Sequence, residues 1–156
     1  TVWARLEAKL TTVTPAAVHA ASAQELQALG MSLRKAEYIK DFADKIVSGE
    51  FDLQAVEQMS DAEAIAVLSS LKGIGKWTAE MILLFCLQRP DILSYDDLAI
   101  QRGLRMLYHH RKITRELFNK YQKRYSPYGS TAAIYLWAVA GGAIEGMKDY
   151  APAKKR

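Results

Sequence analysis

Two short stretches of the sequence carry residue types at a spacing that chemistry can use. The first is Leu71-Lys72-Gly73-Ile74-Gly75-Lys76-Trp77-Thr78-Ala79. Two glycines one residue apart permit a tight turn and let a large ligand reach the backbone. The N–H groups of Gly73 to Lys76 then open a helix, where unpaired donors and the helix dipole favour an anion such as a phosphate. Lys76 would add charge there. On Gly73-x-Gly75 alone, an ordinary helical corner with glycines for close packing is the simpler reading. The second stretch is Asp96-Asp97, placed after a loop from Gln88 to Tyr95 and before the apolar pattern Ile100, Leu104, Leu107, Tyr108. That puts both carboxylates at a helix start, where one of them caps. For the pair alone, capping and surface exposure explain both residues. Trp77 adjoins the turn, whereas Trp137 lies in an apolar stretch where a core role is the ordinary one.

The elements that must position these residues read as helix after helix. Val2, Trp3, Leu6 and Leu10 already show helical spacing, so the chain is expected to start inside a helix, as a truncated protein or a processed one would. Thr14-Pro15 reads as an N-cap followed by proline at the first helical position. Ser22 with Glu25, and Ser60 with Glu63, fit the capping box. Ala36, Ile39, Ala43 and Ile46 form one apolar face, with Gly49 as the stop. Leu117, Phe118, Tyr121 and Tyr125 form another. A helix from Ser60 to about Ser70 leads into the glycine turn, and one from about Lys76 to Leu87 leaves it. Met81 to Leu87 and Ala132 to Ala140 are apolar all round and are therefore expected to be buried on all sides. No alternation of the strand type appears, so the expected fold is all-α.

Composition narrows the class. The chain has 156 residues, 50% hydrophobic and 24% charged, which suits one compact domain or two small lobes. At this size roughly 70% of the unfolded surface is buried on folding, so no disulfide or metal is needed to hold it. The net charge of +4 and pI of about 9.1 lean towards a polyanionic partner, though weakly. A single cysteine, Cys86, excludes an internal disulfide, and also an iron–sulfur cluster, which needs about four thiolates. This usage fits a reducing compartment, expected to be the cytoplasm, or the nucleus if the source is eukaryotic. No apolar run approaches the ~20 residues of a membrane span.

Taken together, the motifs resemble the helix-hairpin-helix (HhH-GPD) DNA glycosylases, and most of all the glycosylase II type that acts on 3-methyladenine. Leu71-x-Gly73-Ile74-Gly75-x-Trp77-Thr78-Ala79 is similar to the family's hairpin. The resemblance extends back through Leu29-Gly30-Met31-Ser32-Leu33-Arg34-Lys35-Ala36-Glu37 and forward through Tyr95-Asp96-Asp97-Leu98-Ala99-Ile100. It continues into Pro127-Tyr128 and the Trp137 helix, and so covers most of the chain from about Ala23 to Val139. The family often has proline where this chain has Lys72, a departure that loosens the turn and offers a further phosphate contact.

The resemblance implies a helical bundle-like glycosylase core over 1–156, with the hairpin at about 60–87, the catalytic loop and helix at about 88–108 and a pocket helix at about 130–146. It implies catalysis by Asp97, which stands three residues before the aliphatic Ile100 as in the family, and leaves Asp96 to capping or support. A fixed anion there would stabilise an oxocarbenium-like sugar and orient or deprotonate water. It implies a base pocket of Trp77, Met81 and Trp137, with Met81 standing where the best-known relative has an aromatic residue. Phosphate contacts are expected from Gly73, Gly75, Lys76 and Thr78. The backbone carbonyls of Ser69, Leu71 and Ile74 would hold a monovalent cation, Na+ or K+, and no other cofactor is expected.

Relatives that also cleave the strand carry a lysine where this chain has Trp77, so a monofunctional enzyme is expected, working as a monomer on double-stranded DNA with alkylated bases. The family's glutamine-rich wedge would lie before Thr1, which makes the chain as read a core lacking its N-terminal segment. Elsewhere, His109-His110-Arg111 is expected at a helix surface, because adjacent histidines on a helix point apart. Cys86 is expected in the core. Pro127-Tyr128-Gly129-Ser130 is expected to turn into the last helix, with a DNA-backbone contact as a further role, and Lys154-Lys155-Arg156 to form a solvated tail. Two other functions stay open: a non-catalytic helix-hairpin-helix DNA-binding module, and a helical protein-interaction domain.

Overall fold

A computed structural model describes residues 1–152. Among these there are ten α-helices and no strand, as the periodicity requires. The helix starts follow the capping residues closely. Thr14, Ser22, Ser32, Ser60 and Thr114 each accept a bond at the N3 backbone N–H, and Ser22–Glu25 and Ser60–Glu63 complete reciprocal capping boxes. The Lys154–Arg156 tail lies outside the described residues.

The chain divides into two compact units, Thr1–Gly75 and Lys76–Arg156. The first holds α1 (Val2–Leu10), α2 (Pro15–Ala20), α3 (Ala23–Ala28), α4 (Leu33–Val47), α5 (Leu53–Gln58) and α6 (Asp61–Ser69). Here α2 and α3 both pack on α4. Leu6, Val18, Ala21, Leu26, Ala36 and Ala43 form the core, edged by Leu10, Val13 and Met31. Ala36 and Ala43 are the buried members of the face read for α4, whereas Ile39 stays 39% exposed. Gly49, at φ +76°, follows the end of that helix as the stop signal required.

The second unit holds α7 (Lys76–Phe85), α8 (Leu98–Tyr108), α9 (Arg115–Tyr125) and α10 (Gly129–Ala140). Its main helix pair is α8 against α10. Gly103 makes that crossing close, since a Cβ there would lie 2.4 Å from the Leu136 carbonyl oxygen. Leu83, Ile100, Leu104, Phe118, Ala133 and Leu136 are buried. The loop between α7 and α8 is tied to the start of α10. Asp91 accepts from the Gly129 N–H at 3.0 Å and from the Ser126 hydroxyl at 2.6 Å. The Ile92 N–H donates to Ser130 Oγ at 3.0 Å. The 127–130 segment is thus the turn into the last helix, and its polar atoms also anchor the loop.

Four details differ from the sequence reading. α7 stops at Phe85, and Cys86 beyond it is exposed rather than in the core. α10 stops at Ala140, short of 146, because Gly141 and Gly142 (φ +91°) follow. Neither apolar helix is buried all round: Phe85 is 59% exposed, Ile134 53% and Tyr135 70%. Composition decides which residues can be buried, but the number of neighbouring helices decides how many are. Finally, the two histidines are not both surface residues of a helix. α8 ends at Tyr108, His109 caps it in the left-handed conformation, and half-buried His110 lies 2.6 Å from the Tyr121 hydroxyl.

No described helix is long and apolar enough to cross a membrane. The α8–α10 crossing gives a direct test. Gly103→Ala forces a methyl into backbone, and overpacking of this kind costs about 1–3 kcal/mol. Chemical denaturation of the variant should show a loss in that range, and wild-type stability would contradict the close crossing.

Candidate active site and nucleic-acid contact

The site is clearest around Asp97. This residue is the N-cap of α8, and its Oδ1 accepts from the backbone N–H groups of Ala99 at 2.8 Å and Ile100 at 2.9 Å. Its Oδ2 accepts from the indole Nε1–H of Trp77 at 2.9 Å. The residue is only 7% exposed, yet it forms no ion pair among the described residues. Three neutral donors therefore fix the carboxylate, and Oδ2 keeps lone-pair capacity beyond the indole bond. Such a carboxylate is oriented without being neutralised by a cation.

This corrects the division of labour read from the sequence. Asp96 does not cap α8; Asp97 does. Asp96 is exposed, and its Oδ1 lies 4.0 Å from the Arg115 guanidinium. Arg115 in turn lies 3.6 Å from the centre of the Tyr95 ring. The residue singled out for chemistry is thus also the structural cap, so both readings of the pair converge on one side chain.

The expected pocket residues fall on two helices of the second unit. Trp77 and Met81 stand one turn apart on α7, and Phe85 follows after one more, so the three form a stripe along one helix face. Trp77 is 47% exposed and Met81 half-buried. Trp137 on α10 stacks on Phe85, with ring centroids 5.6 Å apart and planes at 12°. Phe85 was absent from the sequence reading, although the i, i+4, i+8 spacing from Trp77 pointed to it.

Also missed was Glu80, 7% exposed on α7. The Ser94 hydroxyl donates to its Oε2, while Lys76 Nζ lies 3.8 Å from its Oε1. Burial pushes the Glu80 carboxyl above its ordinary range; the Ser94 bond and Lys76 oppose this, Asp96 adds to it and Arg115 opposes it. A glutamate within an apolar helix gives no sign in sequence of which loop will reach it.

The glycine turn ends the first unit. Gly73 (φ +81°) and Gly75 are both exposed. Their roles differ. A Cβ on Gly73 would meet the Tyr38 ring at 2.2 Å, whereas one on Gly75 would meet nothing within 4 Å. Gly73 therefore serves the turn's conformation and packing, and Gly75 leaves open space beside the backbone. Lys72 Nζ pairs with Asp41 Oδ1 at 3.0 Å, so the cation that departs from the family pattern is held by α4. Lys35, Tyr38, Phe42, Lys72 and Gly73 line a cavity of about 260 Å³ beside the turn. Lys76, exposed, and Thr78, half-buried, begin α7 in the second unit.

The residues expected to hold a cation are Ser69, Leu71 and Ile74. Leu71 is buried, and its carbonyl accepts from the Ile74 N–H at 3.1 Å, which leaves a second lone pair. The Ser69 hydroxyl is buried with no hydrogen-bond partner among the described residues. An all-oxygen set on residues that include one orphaned hydroxyl suits a hard alkali ion.

Residues 1–127 match the HhH-GPD superfamily of base excision DNA repair proteins. The DNA-3-methyladenine glycosylase 1 of Schizosaccharomyces pombe is 36% identical over 126 residues, which cover 80% of this chain and 55% of that protein. A DNA-3-methyladenine glycosidase from Bacillus halodurans has a similar structure, with a TM-score of 0.81 at 34% identity over 94% of this chain and 69% of that one. An S. pombe 3-methyladenine DNA glycosylase in complex with abasic DNA gives a TM-score of 0.78 at 29% identity, covering 94% and 73% of the two chains. The chain spans about half the length of the curated relatives it matches, from 38% to 60%.

The capping role of Asp97 has a measurable consequence. Asp97→Ala removes two cap bonds and the indole bond, and loss of an N-cap alone costs about 1–2 kcal/mol. Asp97→Asn keeps a capping oxygen and gives up at most the indole bond, about 1 kcal/mol. Urea unfolding should rank wild type above Asn above Ala; an Ala variant as stable as wild type would contradict the cap.

Proposed function

Because the chain belongs to the HhH-GPD superfamily of base excision DNA repair proteins, we propose that it is the core of a monofunctional glycosylase for alkylated purines. The lesions are 3-methyladenine and 7-methylguanine, released after the damaged nucleotide is flipped out of the duplex. The observation that carries this reading is the Asp97 carboxylate, buried, oriented by three donors and without a cationic partner among the described residues.

The chemistry follows from the charges. Alkylation makes the purine cationic, so the C1′–N bond breaks with its electron pair passing to a base that leaves neutral. Positive charge then develops on the sugar, and a fixed carboxylate beside it stabilises that charge. Water attacks C1′, and its proton passes to Asp97 or to solvent. The Trp77 and Trp137 indoles offer faces on which a cationic purine gains about 0.5–2 kcal/mol of cation–π energy, which an undamaged base gains less of.

Trp77 occupies the position where strand-cleaving relatives carry lysine, and the adjacent Lys76 amine is directed to Glu80 at 3.8 Å. Both features favour water over an amine as nucleophile. The exposed turn at Gly73 and Gly75 is suited to a DNA phosphate, and Lys76 and Thr78, at the start of α7, are proposed as further phosphate contacts. A sodium or potassium ion held by the Ser69, Leu71 and Ile74 carbonyls would supply further positive charge for that phosphate. The protein would act as a monomer on double-stranded DNA, in the cytoplasm or nucleus.

One observation favours a second reading. A capping role alone explains the position of Asp97, and a non-catalytic DNA-binding module would need nothing more. The two readings separate in a single experiment. Duplex DNA treated with a methylating agent is incubated with wild type and with Asp97→Asn, and the released bases are identified. The glycosylase reading expects 3-methyladenine and 7-methylguanine from wild type, a loss of about 100-fold or more in the variant, and unnicked abasic strands. Binding that falls steeply with salt, without base release, would favour the module instead.

A further inference from the structure

The loop that delivers Asp97 is held on two sides. Asp91 and Ser130 fasten its first half to the start of α10. Nothing in that arrangement fixes the second half, Leu93 to Asp96, against α7, the helix that presents Trp77. Two hydrogen bonds among the described residues do so: the indole bond from Trp77 to Asp97 and the hydroxyl bond from Ser94 to Glu80. Trp77 and Glu80 are three residues apart on α7, and Asp97 and Ser94 are three residues apart on the loop. The pairs run in opposite directions, so the loop is pinned to the helix at two points rather than one.

We infer that Glu80 is a positioning residue for Asp97: by accepting the Ser94 hydroxyl, it holds the loop on α7 so that carboxylate and indole stay in register. Ser94 is fully buried and Glu80 nearly so, at 0% and 7% exposure, and placing a carboxyl there carries a desolvation cost. An apolar residue on α7 would fill the same space without that cost. What a carboxyl adds is an acceptor for a buried hydroxyl, which otherwise stays unpaired. The charged groups facing it are Lys76, Asp96 and Arg115. Lys76, at 3.8 Å, is half exposed and adds little. The bond to Ser94 is the specific contact.

The inference rests on the glycosylase reading for its consequence, though not for its geometry. The test therefore reads both. Glu80→Ala, Glu80→Gln and Ser94→Ala are compared with wild type in single-turnover base release from methylated duplex DNA and in affinity for a duplex with an abasic site. Trp77 emission is followed in a background carrying Trp3→Phe and Trp137→Phe. Glu80→Ala and Ser94→Ala should slow release by about tenfold or more, since a misplacement of 1 Å can cost that much or more. DNA affinity should stay within about twofold, and Trp77 emission should shift as its Asp97 contact loosens.

Glu80→Gln still accepts the hydroxyl, so it should stay within about threefold of wild type. A Gln variant as slow as Ala, or Ala variants with wild-type rate and emission, would overturn the inference. If Glu80→Ala does not fold, Ser94→Ala and Glu80→Gln decide alone. Absence of base release by wild type would sink the glycosylase reading instead, and the emission measurements would still decide whether Glu80 positions the loop.

Discussion

A carboxylate taken out of water must be given donors in exchange, and the second unit is organised around how it does this for Asp97. The donors are two backbone N–H groups at the start of α8 and one indole N–H from α7. None carries a full charge. A salt bridge would have satisfied the same oxygens, but it would have spent the carboxylate's field on a protein cation, and the proposed chemistry needs that field for a developing sugar cation. Helix starts supply donors with fixed direction and partial charge, which is why an N-cap is a suitable mount for an anion that must be held and yet stay available.

The same constraint explains the surrounding contacts. The cap fixes Asp97 relative to α8, and α8 is locked to α10 through the close approach at Gly103. The loop before the cap is fastened to α10 by Asp91 and to α7 by Ser94. Trp77 serves twice, through its N–H to the carboxylate and through its half-exposed surface, which continues into the stripe of Met81 and Phe85. Two neighbouring carboxylates end in different settings, Asp97 buried among neutral donors and Asp96 exposed near Arg115. Environment, more than residue type, separates their roles.

Much of this was legible in the sequence, and what was not has a physical reason. Capping boxes and Thr14-Pro15 mark helix starts because those bonds are local, within three residues, and the structure places them as read. The all-α class follows from periodicity in the same way. The choice of Asp97 over Asp96 for chemistry rests on the frame set by Ile100, and capping was assigned to the wrong member of the pair. The Trp77–Asp97 and Ser94–Glu80 bonds join residues across a loop, and no spacing rule reports them. Cys86 and the outer faces of α7 and α10 were misread because an apolar run specifies what can be buried, while coverage depends on the neighbours the fold provides. His110 was misread because α8 ends at Tyr108 and His109 takes the left-handed conformation, so His110 lies beyond the helix, beside Tyr121.

The bond between the indole and the carboxylate is open to direct observation. In a ¹⁵N–¹H spectrum the three indole N–H groups, from Trp3, Trp77 and Trp137, give separate signals. The Trp77 signal should exchange slowly with solvent and move when Asp97 is replaced by Ala, while the other two stay in place. A Trp77 indole that exchanges at the rate of a free one and ignores the replacement would show that the carboxylate is not held as described.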